Sequence, residues 1–329
     1  MSKSLPEWLV RLKPLAPFHL GEGPTLTECT LHPRADTIWS ALVSLAHSFG
    51  KTDLASRMED GEAFLISSAF PCCGGILFFP KPLAPLAWSK DSLDRRKSMN
   101  KVRFVSQKVL NAWKSSGDFP WDKLALDRGN CLLTWSEVED GKVPDWLITE
   151  ETLAGNVVDR TICGADTFER TVVRYNHEEG VGLYLRMRCE QSLKEQVSEL
   201  LKELGSRGLG GDRSIGNGSF YVTESPVKID SASTTNMATK WVCLSPYHPT
   251  TDEVAAGVLE NSSYQLLDRS GWIDQSPFQR KRIRMLAEGT ILQGFKAKLG
   301  GYGDVVDVTP EIASHPVKRY GRAYLWPVE

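Results

Sequence analysis

The sequence has almost no excess of charge. Its 329 residues carry 39 Lys and Arg against 41 Asp and Glu, a formal net charge of −2. A protein that coats duplex nucleic acid nonspecifically depends on a strong cationic surplus, so any nucleic-acid contact here has to come from a local patch. Cysteine is sparse and unpatterned: Cys29, Cys72, Cys73, Cys131, Cys163, Cys189 and Cys243 contain no CxxC spacing. An odd count without a framework argues against a disulfide scaffold and for reduced thiols in a cytoplasm. Six scattered histidines form no HxH, HD or HExxH pattern, which leaves no metallonuclease signature. Pro or charged residues interrupt every apolar run well before membrane-spanning length, and the opening MSKSLPEWLVRLKP lacks the apolar core of a secretion signal. The expectation is a soluble cytoplasmic protein with no membrane partner, no metal and no cofactor.

Glycine, by contrast, is concentrated in one stretch. Residues 205–220, GSRGLGGDRSIGNGSF, hold six glycines in sixteen positions. Before them VGLYLRMRCE alternates with period two, placing Val181, Leu183, Leu185, Met187 and Cys189 on one side of a strand. Tyr184, Arg186 and Arg188 fall on the other side, which predicts a basic, aromatic face. SLKEQVSELLKELG then reads as a helix with a Ser192–Glu195 capping box and Gly205 as its C-cap, and SFYVTES as a strand. In a dinucleotide fold the glycines precede a helix, whereas here they follow one. A P-loop ends in Gly-Lys-Ser/Thr, and this stretch offers Gly-Asn-Gly. What remains is a tight-turn cluster or a close backbone approach to a ligand or partner. Arg207, Arg213 and Ser214 favour a phosphate-bearing ligand, because guanidinium and backbone N–H groups together suit phosphate.

The start of the chain repeats the strand–helix order. EWLVRLKPL predicts a strand, and DTIWSALVSLAHSFG predicts a helix with Asp36 as N-cap and Gly50 beyond its end. EAFLISSAF and GGILFFP read as further strands. Two strand–helix–strand units in one sheet make an α+β, ferredoxin-like domain, the fold of RNA-recognition modules. Length favours two domains. Residues 1–228 form the first, and a Ser/Thr-rich linker in KIDSASTTNMATK leads to a β-rich second at 238–329. Among the isolated aromatics of this second part, Trp272, Tyr302, Tyr320 and Trp326, core packing is the default expectation.

Two clusters concentrate positive charge. Residues 81–114, within an insert at about 81–130, carry nine Lys and Arg, including Lys97, Lys101 and Arg103, against Asp91 and Asp94. Trp88, Phe104 and Trp113 are interleaved with them. This pattern fits either a solvated face or a single-strand RNA surface. The second cluster, QRKRIR, contains Arg280, Lys281, Arg282 and Arg284 and suits RNA or an acidic protein surface. NVVDRTICGADTFERTVVRY, within about 150–176, reads as a β-hairpin with a basic face.

Taken in order, HPRADTIWSAL, ILFFPKP, KVRFVSQKVL, NVVDRTICGAD, GLGGDRSIGNGSF, YQLLDRSGWI, RIRMLAEGTI and HPVKRYGRAYLWPV resemble the RAMP superfamily of CRISPR effector proteins. Within it they resemble the subunit-four family of the type III-A Csm complex, over nearly the whole chain. The resemblance implies a ferredoxin-like domain with the superfamily's glycine-rich loop and a second, degenerate ferredoxin-related domain. It implies a non-catalytic subunit that caps the 5′ tag of the guide RNA (crRNA). It also implies contacts with the large polymerase-like subunit and with the adjacent backbone RAMP subunit. The RNA-binding residues would be Arg207, Gly208, Gly210, Gly211, Arg213, Ser214, Gly216 and Gly218 of the loop. Arg160, Arg170 and Arg174 of the hairpin and Lys97, Lys101 and Arg103 of the insert would add to them. Arg280, Lys281, Arg282 and Arg284 would meet a partner protein. Loop glycines are expected to lie against RNA, so that Gly210→Asp would weaken RNA capture without disturbing the fold. Two other readings stay open: a RAMP-type endoribonuclease using His32 or Asp36, and a scaffold that touches only protein.

Overall fold

The computed structural model describes residues 5–22, 25–85, 96–113, 123–125, 130–139, 143–159, 164–229, 238–274, 276–294 and 301–328. The chain opens with β1 (Glu7–Pro14), followed after a loop by α1 (Ala35–Ser48) and α2 (Thr52–Glu59). Ile38, Trp39, Leu42, Leu45 and Ala46 recur at helical spacing on α1, and all are buried. Asp36 is not the N-cap that the sequence predicts. Arg34 occupies that position, and Asp36 sits in the first turn with its carboxylate turned inward, bonded to Arg269 and Arg319. Next come β2 (Phe64–Ile66), β3 (Phe70–Cys73) and β4 (Ile76–Pro80).

The insert builds onto the sheet through α3 (Arg96–Lys101), β5 (Phe104–Ser106), α4 (Gln107–Trp113), β6 (Leu124–Ala125), β7 (Cys131–Thr134) and α5 (Trp135–Glu139). Its aromatics serve packing. Phe104 is buried in the core, and the Trp113 indole N–H donates to the Ala84 carbonyl. Trp88 lies outside the described residues. The predicted hairpin forms as β8 (Ile148–Asp159) and β9 (Gly164–Tyr175), twelve residues a side, paired in antiparallel register from Ile148↔Tyr175 outward.

Then follow β10 (Val181–Cys189), α6 (Gln191–Arg207), β11 (Phe220–Val222) and β12 (Val227–Ile229). The Ser192 capping box does not form: Glu190 is the N-cap and makes no side-chain cap bond. Gly205 lies inside the helix, where a Cβ would run into the Phe220 carbonyl, and Gly208 is the C-cap instead. The large sheet runs β11-β1-β10-β3-β4-β5-β7-β6, with β12 also on β1 and β2 on β10. Among the described strands only β5 and β7 pair in parallel. The strand–helix order read from sequence is present.

The predicted basic face of β10 is not open. Arg186 stacks on Trp326 with its guanidinium carbon 4.0 Å from the ring centroid, and Arg188 stacks on Tyr324 at 4.4 Å. Glu7 accepts from Arg186 at 3.0 Å and from Arg188 at 3.4 Å. Burial raises the Glu7 carboxyl, but the two guanidiniums outweigh it and hold it below its ordinary value. A desolvated cation over an indole contributes on the order of 2 kcal/mol, so this face is a seam for the C-terminal part.

That part contains β13 (Lys240–Cys243), α7 (Thr251–Ala255), β14 (Leu266–Arg269), β15 (Ile283–Leu286), β16 (Ile291–Gln293), β17 (Val305–Asp307), β18 (Lys318–Tyr320) and β19 (Leu325–Pro327). β16-β13-β19 form a sheet, while β14-β15 and β17-β18 are two-stranded ribbons. Val242, Leu244, Tyr320, Tyr324 and Trp326 join the main core, and Trp241, Cys243, Tyr247 and Leu286 form a second cluster. Among the four C-terminal aromatics, Trp272 departs from the core expectation, at 63% exposure. Most of the linker, residues 230–237, lies outside the described residues.

Candidate nucleic-acid interface

The glycine loop folds back on its own chain. Gly208, Gly210, Gly216 and Gly218 have φ between +75° and +98°, the left-handed region that glycine enters freely. A Cβ on Gly210 would collide with the His19 carbonyl, one on Gly211 would stand 2.6 Å from the His19 ring, and one on Gly218 would strike the Leu209 carbonyl. The Gly211 N–H donates to the His19 carbonyl at 2.8 Å. His19 is itself buried, with Nδ1 2.8 Å from the Thr171 carbonyl of the hairpin. The bare backbone therefore lies against the β1–α1 loop, and Gly210→Asp would disturb the fold, contrary to the sequence expectation. Gly216 is the one glycine of the six where a Cβ would meet open space.

The loop's side chains border a cleft of about 2000 Å³. One wall is the loop with Arg207, Arg213 and Ser214, beside the β1–α1 loop and the outer side of α1. The facing wall is C-terminal: Asp268–Asp274, Gln279, Arg280, Arg282 and residues 315–319. The segment is drawn back on itself by Ile273 N–H to the Phe278 carbonyl and Arg280 N–H to the Gly271 carbonyl, both at 2.9 Å. It carries the exposed Trp272 into the cleft. An exposed indole in a groove offers a stacking platform for a base.

Most cleft cations have acidic partners. Arg213 pairs with Asp274 across the cleft, Arg282 with Asp268 and Lys318 with Glu59. Arg207 bonds Glu203 at 2.7 Å and lies over Phe49. Arg34 bridges Glu22 and Glu288. Arg269 and Arg319 share the Asp36 carboxylate. Burial would raise the Asp36 carboxyl, but these two arginines hold it at about 2. Arg280 differs: among the described residues its side chain bonds only the Ser40 hydroxyl, at 3.2 Å.

The structure unites Arg207, Gly208, Gly210, Gly211, Arg213 and Ser214 with Arg280 and Arg282 around one cleft. It ties Arg170 to the same unit through Asp212, at 3.3 Å. Arg174 pairs with Glu151. Lys97, Lys101 and Arg103 are exposed and do not line the cleft, and neither do Lys281 and Arg284. Arg160 lies outside the described residues. His32 is buried, paired with Glu288 at 3.3 Å and packed on Phe70 and Phe104. Sequence reading missed Trp272, Arg269 and Arg319. The flanking Ser270-Gly271 signalled a turn for Trp272, but nothing local distinguishes the two arginines. Among the described residues no cluster of His, Cys, Asp or Glu could hold a metal, and no helix is long and apolar enough to cross a membrane.

Comparison with known proteins agrees with this architecture. The family model of the CRISPR Csm4 C-terminal domain matches residues 236–328. A CRISPR system Cms protein Csm4 from Mycobacterium tuberculosis is 26% identical over 310 residues, 92% of each chain. One from Streptococcus thermophilus is 25% identical over 321 residues, 94% of this chain and 95% of the relative. Among solved structures, a chain of the Csm3-Csm4 subcomplex of a type III-A CRISPR-Cas interference complex superposes with a TM-score of 0.67. It is 19% identical and covers 97% of this chain and 99% of its own. A chain of a Csm1-Csm4 cassette in complex with cA4 gives 0.57 at 17% identity, covering 98% of each. The mixed α+β fold with its large sheet is the fold of those chains. In sequence the chain is similar to Csm4 proteins, through the C-terminal family match and through these relatives along nearly its whole length.

Proposed function

We propose that this chain is a non-catalytic, RNA-binding subunit of a type III-A CRISPR interference complex, which seats the 5′ tag of crRNA in the cleft between its glycine loop and its C-terminal part. The observation that carries this reading is the cleft itself. Phosphate-suited groups, Arg207, Arg213 and Ser214, stand on one wall, and an exposed indole with further arginines stands on the other. The large subunit and the adjacent backbone subunit are the proposed partners, by analogy with relatives described in Csm1-Csm4 and Csm3-Csm4 assemblies.

The first unit, residues 1–228, is ferredoxin-like on this reading. Support comes from the order β11-β1-β10-β3, with α1 between β1 and β3 and α6 between β10 and β11, which is two interlocked split βαβ units. The second unit, 238–329, is ferredoxin-related and β-rich; among the described residues its named strands pair only with one another. The non-catalytic assignment draws support from His32 and Asp36, whose buried side chains are bonded to Glu288 and to Arg269 and Arg319 and so are poorly placed to exchange protons with an RNA 2′-hydroxyl.

The test is incubation of the purified chain with end-labelled RNA bearing a free 5′ tag, with and without divalent metal, read on native and denaturing gels. Intact RNA held through its tag, and released by Arg213→Glu with Trp272→Ala, is expected. Specific cleavage would make the chain a processing nuclease, and neither binding nor cleavage would make it a protein-only scaffold.

A further inference from the structure

Three guanidiniums, those of Arg269, Arg280 and Arg319, gather beside the first turns of α1 around the single carboxylate of Asp36. Asp36 has no exposed surface, and Arg319 and Arg269 are 2% and 6% exposed. Arg269 donates to Asp36 at 2.9 and 3.1 Å and to the Thr37 hydroxyl at 3.1 Å. Arg319 donates to Asp36 and to the Ser270 carbonyl. Among the described residues the Arg280 side chain donates to Ser40 alone, and the Nε–H groups of Arg280 and Arg319 are buried with no acceptor. Asp274, the other carboxylate acting on Arg280, is engaged by Arg213. Three cations on one anion leave a surplus of two positive charges, where desolvation is costly and buried charge is normally paired. The protein registers that cost: burial depresses Arg280, against the pull of Asp36, and pushes Arg319 down to about 10.

We propose that this arginine cluster, which opens onto the cleft through Arg280, is the site for one backbone phosphate of a single-stranded RNA. All three arginines border the cleft, opposite Arg213 and Ser214. Arg280 thereby separates from its neighbours in sequence. Arg282 and Arg284 sit on Asp268 and, like Lys281, are exposed. A phosphodiester fits better than a protein carboxylate. Its two non-bridging oxygens pair with a guanidinium as a carboxylate's do, and a chain threaded along the cleft in addition reaches the cluster and the glycine-loop wall together. RNA as the source of the phosphate rests on the function proposed above.

The full chain is compared with Arg280→Gln and, as a control off the cleft, Arg284→Gln. One arm follows the thermal midpoint with added inorganic phosphate, and the other measures affinity for labelled single-stranded RNA at several salt concentrations. Expected is loss of the phosphate-induced rise in Arg280→Gln only, together with a salt slope shallower by about 0.7, the contribution of one single-strand phosphate. Without ligand, Arg280→Gln should melt no lower than wild type. A markedly lower midpoint would overturn the proposal by making Arg280 a structural cation. A phosphate effect that depends on Arg280, in a chain that holds no RNA, would support the anion site while overturning RNA as its source. Wild-type slope and wild-type phosphate response in Arg280→Gln would overturn the site. Unchanged RNA affinity and slope in Arg280→Gln alongside a lost phosphate response would overturn RNA as the occupant and assign the cluster to another anion, such as a protein carboxylate.

Discussion

Asp36 in the first turn of α1 and Arg319 in β18 form an ion pair removed from solvent, joining the two ends of the chain. Breaking such a pair strands a buried charge and costs about 3–5 kcal/mol. Asp36→Ala is therefore expected to lower the free energy of unfolding by that order, and here the loss would be compounded by three unbalanced arginines. Urea unfolding measures it, and a loss below about 1 kcal/mol would show that the pair does not hold the C-terminal part in place.

The same carboxylate makes stability depend on acid. Its pKa falls from an ordinary 3.8 to about 2 on folding, so its contribution is complete above about pH 5 and is lost as pH falls through 2. Each tenfold change in proton affinity is worth roughly 1.4 kcal/mol, which makes this contribution about 2 kcal/mol. Glu288 is likewise held low: burial opposes the shift, and Arg34 and His32 outweigh it, which adds to the loss in the same direction. The unfolding midpoint should drop steeply between pH 4 and pH 2, and Asp36→Asn should flatten that drop.

The glycines predict a graded series. Gly210→Ala meets both a left-handed φ and the His19 carbonyl, so a cost well above the ~1 kcal/mol of conformational strain alone is expected. Gly216→Ala, with nothing nearby, should cost about 1 kcal/mol. Equal losses at the two positions, measured by denaturant midpoints, would contradict the close packing of the loop on the β1–α1 segment.

For the cleft, Trp272→Ala should leave stability near wild type, since the indole is mostly exposed, and reduce RNA affinity by the ~1–3 kcal/mol of one stacked base. Fluorescence anisotropy with a short tag RNA reads this directly. An unchanged affinity would take Trp272 out of the RNA path.

The exposed insert cations form a separate test. Replacing Lys97, Lys101 and Arg103 by Gln should make the salt slope of RNA binding shallower by up to about 2 if all three meet phosphates. An unchanged slope would assign them to solvent or to a protein partner.

Local order was legible in the sequence by itself. Period-two alternation marked β10, helical spacing marked α1 and α6, and the stretch NVVDRTICGADTFERTVVRY marked the β8–β9 hairpin, because these patterns depend on neighbours a few residues away. Even the weight of the glycine loop was visible. Its partner was not, since His19 lies almost two hundred positions earlier and only the packed chain brings it against Gly210. For the same reason the arginines of β10 read as an open basic face until Tyr324 and Trp326 covered them, and Asp36 read as a cap until Arg269 and Arg319 arrived from the far end. Charge and aromaticity are written in the sequence. Whether a guanidinium faces a carboxylate, an indole or a vacant cleft depends on contacts between segments distant in the chain, and those only the tertiary structure decided.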